Sequence, residues 1–446
     1  MNQAHFETME PKKLFVKLAI PSLISMLFSS LYMMADGIFV GNIIGSKALA
    51  AINLVFPIIM IIFAFGDMIA SGASVKIGIK LGEKNEQEAS EIFSVALLFI
   101  FVSNIIFAIV SLIFAEDIIF MLIKDKELAS LSYKFAYIFI CFLPMIAPFF
   151  AIDNCLRICG KANLSMWINV GVSLLNIILD AIFIGYFKLG IEYAALASSL
   201  SMSIGTLILI YPFVAKKVVL RFTKPKIKIK EMLGIIYNGS SEFFSNISGS
   251  IMSIIMNSFL LHFGGAVGVA AYSIVIYIDS LIVPVLFGII DSVRPVISYN
   301  YGAKNNNRIM TFFKITCGVG IIISIIAIII MFVFPDFLVG LFSSESDVDT
   351  INMAKEALIL YAPSYLFTWF IITVSGFLTG LEKATASIVL MSAETTVLPL
   401  LIPLVSTQFI GVYGIFITPT ISAAITVIFA FILWRKYIKN EIKTSE

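Results

Sequence analysis

Charge is what this 446-residue chain has least of: 13% of its residues are Asp, Glu, Lys or Arg, against 60% hydrophobic. Mean hydropathy is +1.02. A water-soluble domain of this length must clothe its surface in charge, so that class is excluded and lipid is the solvent for most of the chain. Histidine is nearly absent, with His5 and His262 alone. The four cysteines are scattered, and only Cys155 and Cys159 lie one helical turn apart. Those shortages argue against a His/Cys metal centre and a disulfide framework, and leave the thiols as small apolar packing groups. No G-x-x-x-x-G-K-[ST] occurs, which excludes a Walker-type nucleotide site. No nucleophile–base pair or metal-ligand set stands out either, so the chain is expected to be no enzyme, to need no cofactor and to bind no nucleic acid.

In lipid the backbone must satisfy its own hydrogen bonds, and apolar runs of about 20 residues select helices over a barrel. The first 13 residues are mixed in charge and no small-residue cleavage site follows the first apolar run, so that run is expected to stay as a helix. The pattern predicts an all-α membrane protein with twelve spans, near 14–40, 48–75, 91–115, 131–152, 163–186, 191–215, 233–262, 268–299, 308–333, 354–378, 384–408 and 412–436. With this count, 24 of the 30 Lys and Arg fall on one side, including Lys226 in the central connector and Lys443 near the end. The positive-inside rule then makes both termini cytoplasmic in a multi-pass plasma-membrane protein.

Shifting the sequence by 220 lays it over itself. Phe39, Gly45, Ala50, Ala51 and Val55 meet Phe259, Gly265, Ala270, Ala271 and Val275. Gly82, Lys84, Asn85 and Phe93 meet Gly302, Lys304, Asn305 and Phe313 in the same register. The chain therefore divides into an N-terminal lobe (1–215, helices 1–6), a basic connector (216–232) and a C-terminal lobe (233–446, helices 7–12). Six helices per half make the two parallel repeats, the organisation of a transporter whose bundles rock around a shared site. The connector, with Pro225 in it, reads as a solvated cytoplasmic strap.

A carboxylate near mid-bilayer costs about 2.5–3.5 kcal/mol, so each must face a cavity, find a partner or take a proton. Asp36, Asp67, Asp180, Glu242, Asp279, Asp291 and Glu394 all fall within predicted spans. Tyr32, Ser29 and Ser25 precede Asp36 by 4, 7 and 11 residues, a polar stripe on one helical face. Asn176 and Asp180 share a face of helix 5, and Ser198 in helix 6 lies at the same depth, about 9–12 Å from the outer ends at 1.5 Å per residue. Two carboxylates, an amide oxygen and a hydroxyl at one level fit either a small hard cation or a shared proton. Glu242, facing Ser22 by the repeat, is expected to line the cavity of the second lobe; Glu394 is a further candidate. Asp291 and Arg294, three apart, are expected to form a mutual ion pair. Prolines 399 and 403 mark helix 11 as a candidate bending element.

Certain strings resemble the multidrug and toxic compound extrusion (MATE) transporters, in particular their bacterial multidrug-exporter subgroup. They are Pro21 followed by Asp36-Gly37-Ile38-Phe39-Val40-Gly41, Asn176-x-x-x-Asp180 with Phe183-Ile184, Ala194-Ala195-x-Ala197-Ser198, and Pro295 through Tyr299-Asn300-Tyr301-Gly302-Ala303. The resemblance spans nearly the whole chain. It implies a V-shaped pair of six-helix lobes in a bacterial inner membrane, acting as a monomer. It implies exchange of amphiphilic, cationic organic compounds or drugs for inbound H⁺ or Na⁺. The family's first-lobe cation site maps to Asp36, Asn176 and Asp180 (the Na⁺ ligands if sodium is the coupling ion), with Ser198 where threonine is usual. Tyr32, Glu242, Asp291, Arg294 and Glu394 are the expected cavity residues. Tyr361–Phe377 lacks the acid that some members carry in helix 10. A lipid-linked oligosaccharide flippase of the same superfold is the alternative, against which an acidic cavity argues.

Overall fold

A computed structural model describes residues 4–225, 228–341 and 348–440. Lys226 and Lys443 lie outside them. Among the described residues there is no strand. Eleven continuous helices are long and apolar enough to cross a membrane. The longest, Ile229–Gly302, is two spans joined at Gly265, whose φ of 61° and ψ of −159° leave the helical region. That makes twelve: α1 (Pro11–Ile44), α2 (Lys47–Gly82), α3 (Glu86–Leu122), α4 (Lys126–Ile158), α5 (Ala162–Tyr186), α6 (Ile191–Val214), α7 (229–264), α8 (266–302), α9 (Asn306–Val333), α10 (Val348–Gly380), α11 (Ala384–Ile410) and α12 (Tyr413–Lys439). Two short helices, Ala4–Thr8 and Pro335–Gly340, lack the length to show in a hydropathy pattern.

The spans run past their predicted ends because a helix continues after its apolar stretch stops. α3 begins at Glu86, five residues ahead of the predicted start. Its first turn carries Glu86 and Glu88, the charge sign a helix N-terminus favours, and Asn85 caps it by accepting from the Glu88 amide at 3.1 Å. The repeat supplies the same start to α9: Asn305 accepts from the Arg308 amide at 3.2 Å. Lys84 and Lys304 ahead of the two caps both take positive φ, 60° and 57°. Gly45 and Gly265, the turn between the first two helices of each repeat, both have φ beyond +60°, where a Cβ is strained. Shared residues at a 220-residue offset therefore build shared backbone geometry.

By internal packing the chain forms two compact units, Met1–Phe243 with Ser298–Lys304, and Phe244–Ile297 with Asn305–Glu446. Within the first, α2 meets the opening of α7 backbone to backbone. A Cβ at Gly72 would overlap the Ile235 carbonyl, and one at Gly239 the Met68 carbonyl. The last turn of α8 docks on the same helix, Gly302 against Ile79 and Gly82 against Tyr299. These glycines explain why the first turns of α7 and the last of α8 pack with α1–α6.

The connector is pinned along α3. The Thr223 amide donates to Ser94 Oγ at 2.9 Å and the Arg221 amide to Ser90 Oγ at 3.3 Å. Leu220 is fully buried. Over these residues the strap is docked against α3, where a solvated one was expected, because serine hydroxyls take two of its amides and Leu220 is buried.

Candidate functional site

In the first unit, α1 packs along α5, and α5 against α6. Helix periodicity places Asn176 and Asp180 on one face of α5, and both are buried, at 1% and 0% exposure. Asn176 Nδ2 donates to Ser198 Oγ at 2.9 Å, which fixes the amide so that its oxygen points away from α6. That oxygen has no hydrogen-bond partner, and neither does either oxygen of Asp180 or Oδ1 of Asp36, although all four are buried. Asp36 lies within electrostatic reach of Asp180, and Tyr32, one turn earlier on α1, within reach of Asp36. Each orphaned acceptor costs about 1–3 kcal/mol unless a proton or cation sits among them. The donor set is all oxygen, which suits a hard monovalent cation or protons. Orphaned oxygens also occur elsewhere, among them one on Asn104 and one on Glu394, the latter beside the Thr426 hydroxyl.

Both acids sit beside a widened stretch of helix. α1 turns π-helical over Val40–Ile44, immediately after the Asp36 turn, and α5 does so over Ala181–Tyr186, directly after Asp180. The Gly45 amide bonds back to Val40 O at 3.0 Å and the Phe187 amide to Ile182 O at 2.9 Å, each five residues earlier. Such insertions re-aim the side chains around them and recur at functional sites. Nothing in the residue types announces them.

The other candidates are divided between the two units. Glu242 is half-buried on α7, and Ser22, its counterpart in the repeat, is buried and accepts from Arg157 Nη1 at 2.6 Å. In the second unit, Arg294 pairs with Asp291 at 3.1 Å as the spacing implied. Glu394 occupies a third π-helical stretch, Ala393–Val397, with its Oε2 buried and unpartnered.

Two polar groups gain partners here: Asp153, which the sequence pattern did not single out, and Asp279, an intramembrane acid whose role the sequence left open. Asp153 on α4 is 7% exposed, holds Arg157 at 2.9 Å and accepts from Asn169 Nδ2 at 3.0 Å and from Ser165. With the Arg157–Ser22 bond, this network ties α1, α4 and α5 together one residue beyond Pro21. Asp279 on α8 accepts from the hydroxyl of Tyr365 on α10. The i, i+4 spacing of Asp153 and Arg157 was a legible signal; the Asp279–Tyr365 pairing, 86 residues apart, was not.

The architecture of two repeated six-helix halves, with a carboxylate cluster buried in the first, defines a membrane transporter of the MATE type. The MatE family profile matches residues 21–182 and 243–405, one segment in each repeat, and the chain belongs to that family. The multidrug export protein MepA of Staphylococcus aureus (strain MSSA476) is 26% identical over 375 residues, 82% of each chain. MepA of Staphylococcus saprophyticus is 25% identical over 443 residues, 96% of this chain and 95% of that one. Among solved structures, a MATE transporter in complex with MaL6 superposes with TM-score 0.94 at 25% identity, covering all of both chains. A MOP superfamily transporter from Pyrococcus furiosus, described as having a binding pocket of reversed polarity, gives 0.93 at 26% identity over 99% of each.

Proposed function

We propose that this chain is a secondary active multidrug exporter, which exchanges amphiphilic, cationic organic compounds for inbound H⁺ or Na⁺ by alternating access. The observation that carries this reading is the set of four buried, unpartnered oxygens on Asp36, Asn176 and Asp180. The MepA relatives, multidrug export proteins by name, supply the direction and the kind of cargo. By the positive-inside rule, the basic ends of the helices support a reading in which both termini are cytoplasmic. On this reading the chain works as a monomer.

Asp36 and Asp180 bind the coupling cation, Asn176 contributes its amide oxygen, and Ser198 orients that amide. Filling the cluster removes the repulsion between the two carboxylates and their pull on a cationic substrate. α1 is built to respond: Pro21 interrupts its hydrogen-bond ladder, Ser25 bonds back to Pro21 O at 2.9 Å, and the π-helical stretch follows Asp36. The cation can move the equilibrium only by its preference for one state. Going from 1:99 to 99:1 takes about 10⁴-fold, or about 5.5 kcal/mol.

The test is transport of a fluorescent cation such as ethidium in proteoliposomes under separately imposed sodium and proton gradients. One of the two is expected to drive uphill movement. No movement under either, with protein correctly inserted, would overturn the proposal.

A further inference from the structure

Apart from the cation cluster, a groove of about 610 Å³ opens between the starts of α1 and α5. It is lined by Lys12, Lys13, Val16, Lys17, Ile20, Pro21, Asn163 and Met166. Its α1 wall is basic towards the helix start and apolar from Ile20 inward, with Val16 among the lysines. The three lysines occupy the first two turns of α1, and Ile20 and Pro21 lie about 5–6 Å beyond Lys17 at 1.5 Å per residue. Asn163 places the first turn of α5 on the opposite wall, so two helix N-termini add their positive ends to the lysines. Glu10 pairs with Lys13 at 3.2 Å where both are exposed. Val16, among the lysines, and Ile20, beyond them, are each about half exposed (52% and 51%), and Trp167, one residue past Met166, is 66% exposed. A tryptophan at the boundary of a membrane helix marks headgroup depth. Apolar side chains left open just inside that boundary have acyl chains as their natural cover.

We infer that this groove binds one anionic phospholipid from the leaflet facing the basic helix ends. The phosphate sits among Lys12, Lys13 and Lys17, and an acyl chain lies along Val16, Ile20 and Met166 to the Pro21 kink. Charge complementarity selects the headgroup: three ammonium groups and two helix N-termini suit a phosphodiester without a compensating cation, and disfavour a zwitterion. Basic pockets between spans commonly hold such headgroups, at about tenfold or less per lysine. The site is separate from the cation cluster, and its existence does not depend on which ion drives transport.

The experiment is native mass spectrometry of the purified full-length protein titrated with phosphatidylglycerol, phosphatidylcholine and glycerol 1-phosphate. The wild-type protein is expected to retain phosphatidylglycerol at least tenfold more strongly than phosphatidylcholine. K12Q/K13Q/K17Q should erase that preference, while K216Q/K217Q, basic residues outside the groove, should keep it. Displacement of the lipid by millimolar glycerol 1-phosphate would make the groove a free-anion site and overturn the proposal. Equal loss in the K216Q/K217Q protein would reduce the effect to diffuse charge and overturn it as well. Should the triple variant fail to insert, the wild-type ratio of the two lipids still decides, since equal retention contradicts the proposal.

Discussion

Asn176 spends its amide nitrogen on Ser198 Oγ, 2.9 Å away, and so presents its oxygen on the face of α5 that carries Asp180 one turn later. Removing the donor bond frees the amide to turn. Asn176→Ala should weaken coupling-cation affinity by about 10- to 100-fold, the worth of one ligand to a charged group at about 1.5–3 kcal/mol. Ser198→Ala should cost about threefold to tenfold, because the amide loses its anchor and not its oxygen. Ser198→Thr, which keeps the hydroxyl, should transport normally. Half-saturating cation concentrations in proteoliposomes measure all three.

The Asp153–Arg157 pair is nearly buried, with side chains 10% and 12% exposed. Truncating either partner strands a charge among apolar neighbours, at a cost of about 3–5 kcal/mol. Arg157→Ala and Asp153→Ala should each lower the thermal midpoint of the purified protein by several degrees. Ser22→Ala, which removes only the tie to α1, should cost about 1 kcal/mol.

Asp279 and Tyr365 hold α8 and α10 together inside the second unit. Tyr365→Phe removes the donor and leaves the carboxylate buried with one bond fewer, so stability should fall by about 1–3 kcal/mol. Transport per folded molecule should change little if the bond is structural, which thermal unfolding and an ethidium assay together would show.

Gly72 and Gly239 permit contact between α2 and α7 that no side chain fits. Gly239→Val should be the more damaging substitution there, at about 3 kcal/mol or more from overpacking. Gly249, with open space where a Cβ would stand, should accept Ala with a gain of a few tenths of a kcal/mol. Expression level and thermal midpoint of the pair separate the two cases.

The span count and the repeat were legible because lipid enforces a uniform local rule. Apolar runs of about 20 residues must be helical, and Gly45/Gly265 and Asn85/Asn305 are residue types that the same turn demands twice. Asp180, Asn176 and Ser198 were legible for a similar reason, since depth along a helix can be counted. The π-helical stretches were not, because they insert a residue into the ladder without a marker such as proline. Nor was the first unit's claim on the ends of α7 and α8, which depends on which glycines of distant helices meet. Asp279–Tyr365 belongs with these: its partners are paired by tertiary packing alone.

The central claim is that Asp36 and Asp180 carry the coupling ion. It is tested most directly by drug-stimulated cation flux into proteoliposomes, followed with ²²Na⁺ and with an internal pH dye. Wild-type protein is predicted to admit one of the two ions when ethidium is supplied for exchange, and Asp36→Asn and Asp180→Asn to abolish that flux while still inserting with the wild-type thermal midpoint. Undiminished flux in both variants would contradict the account.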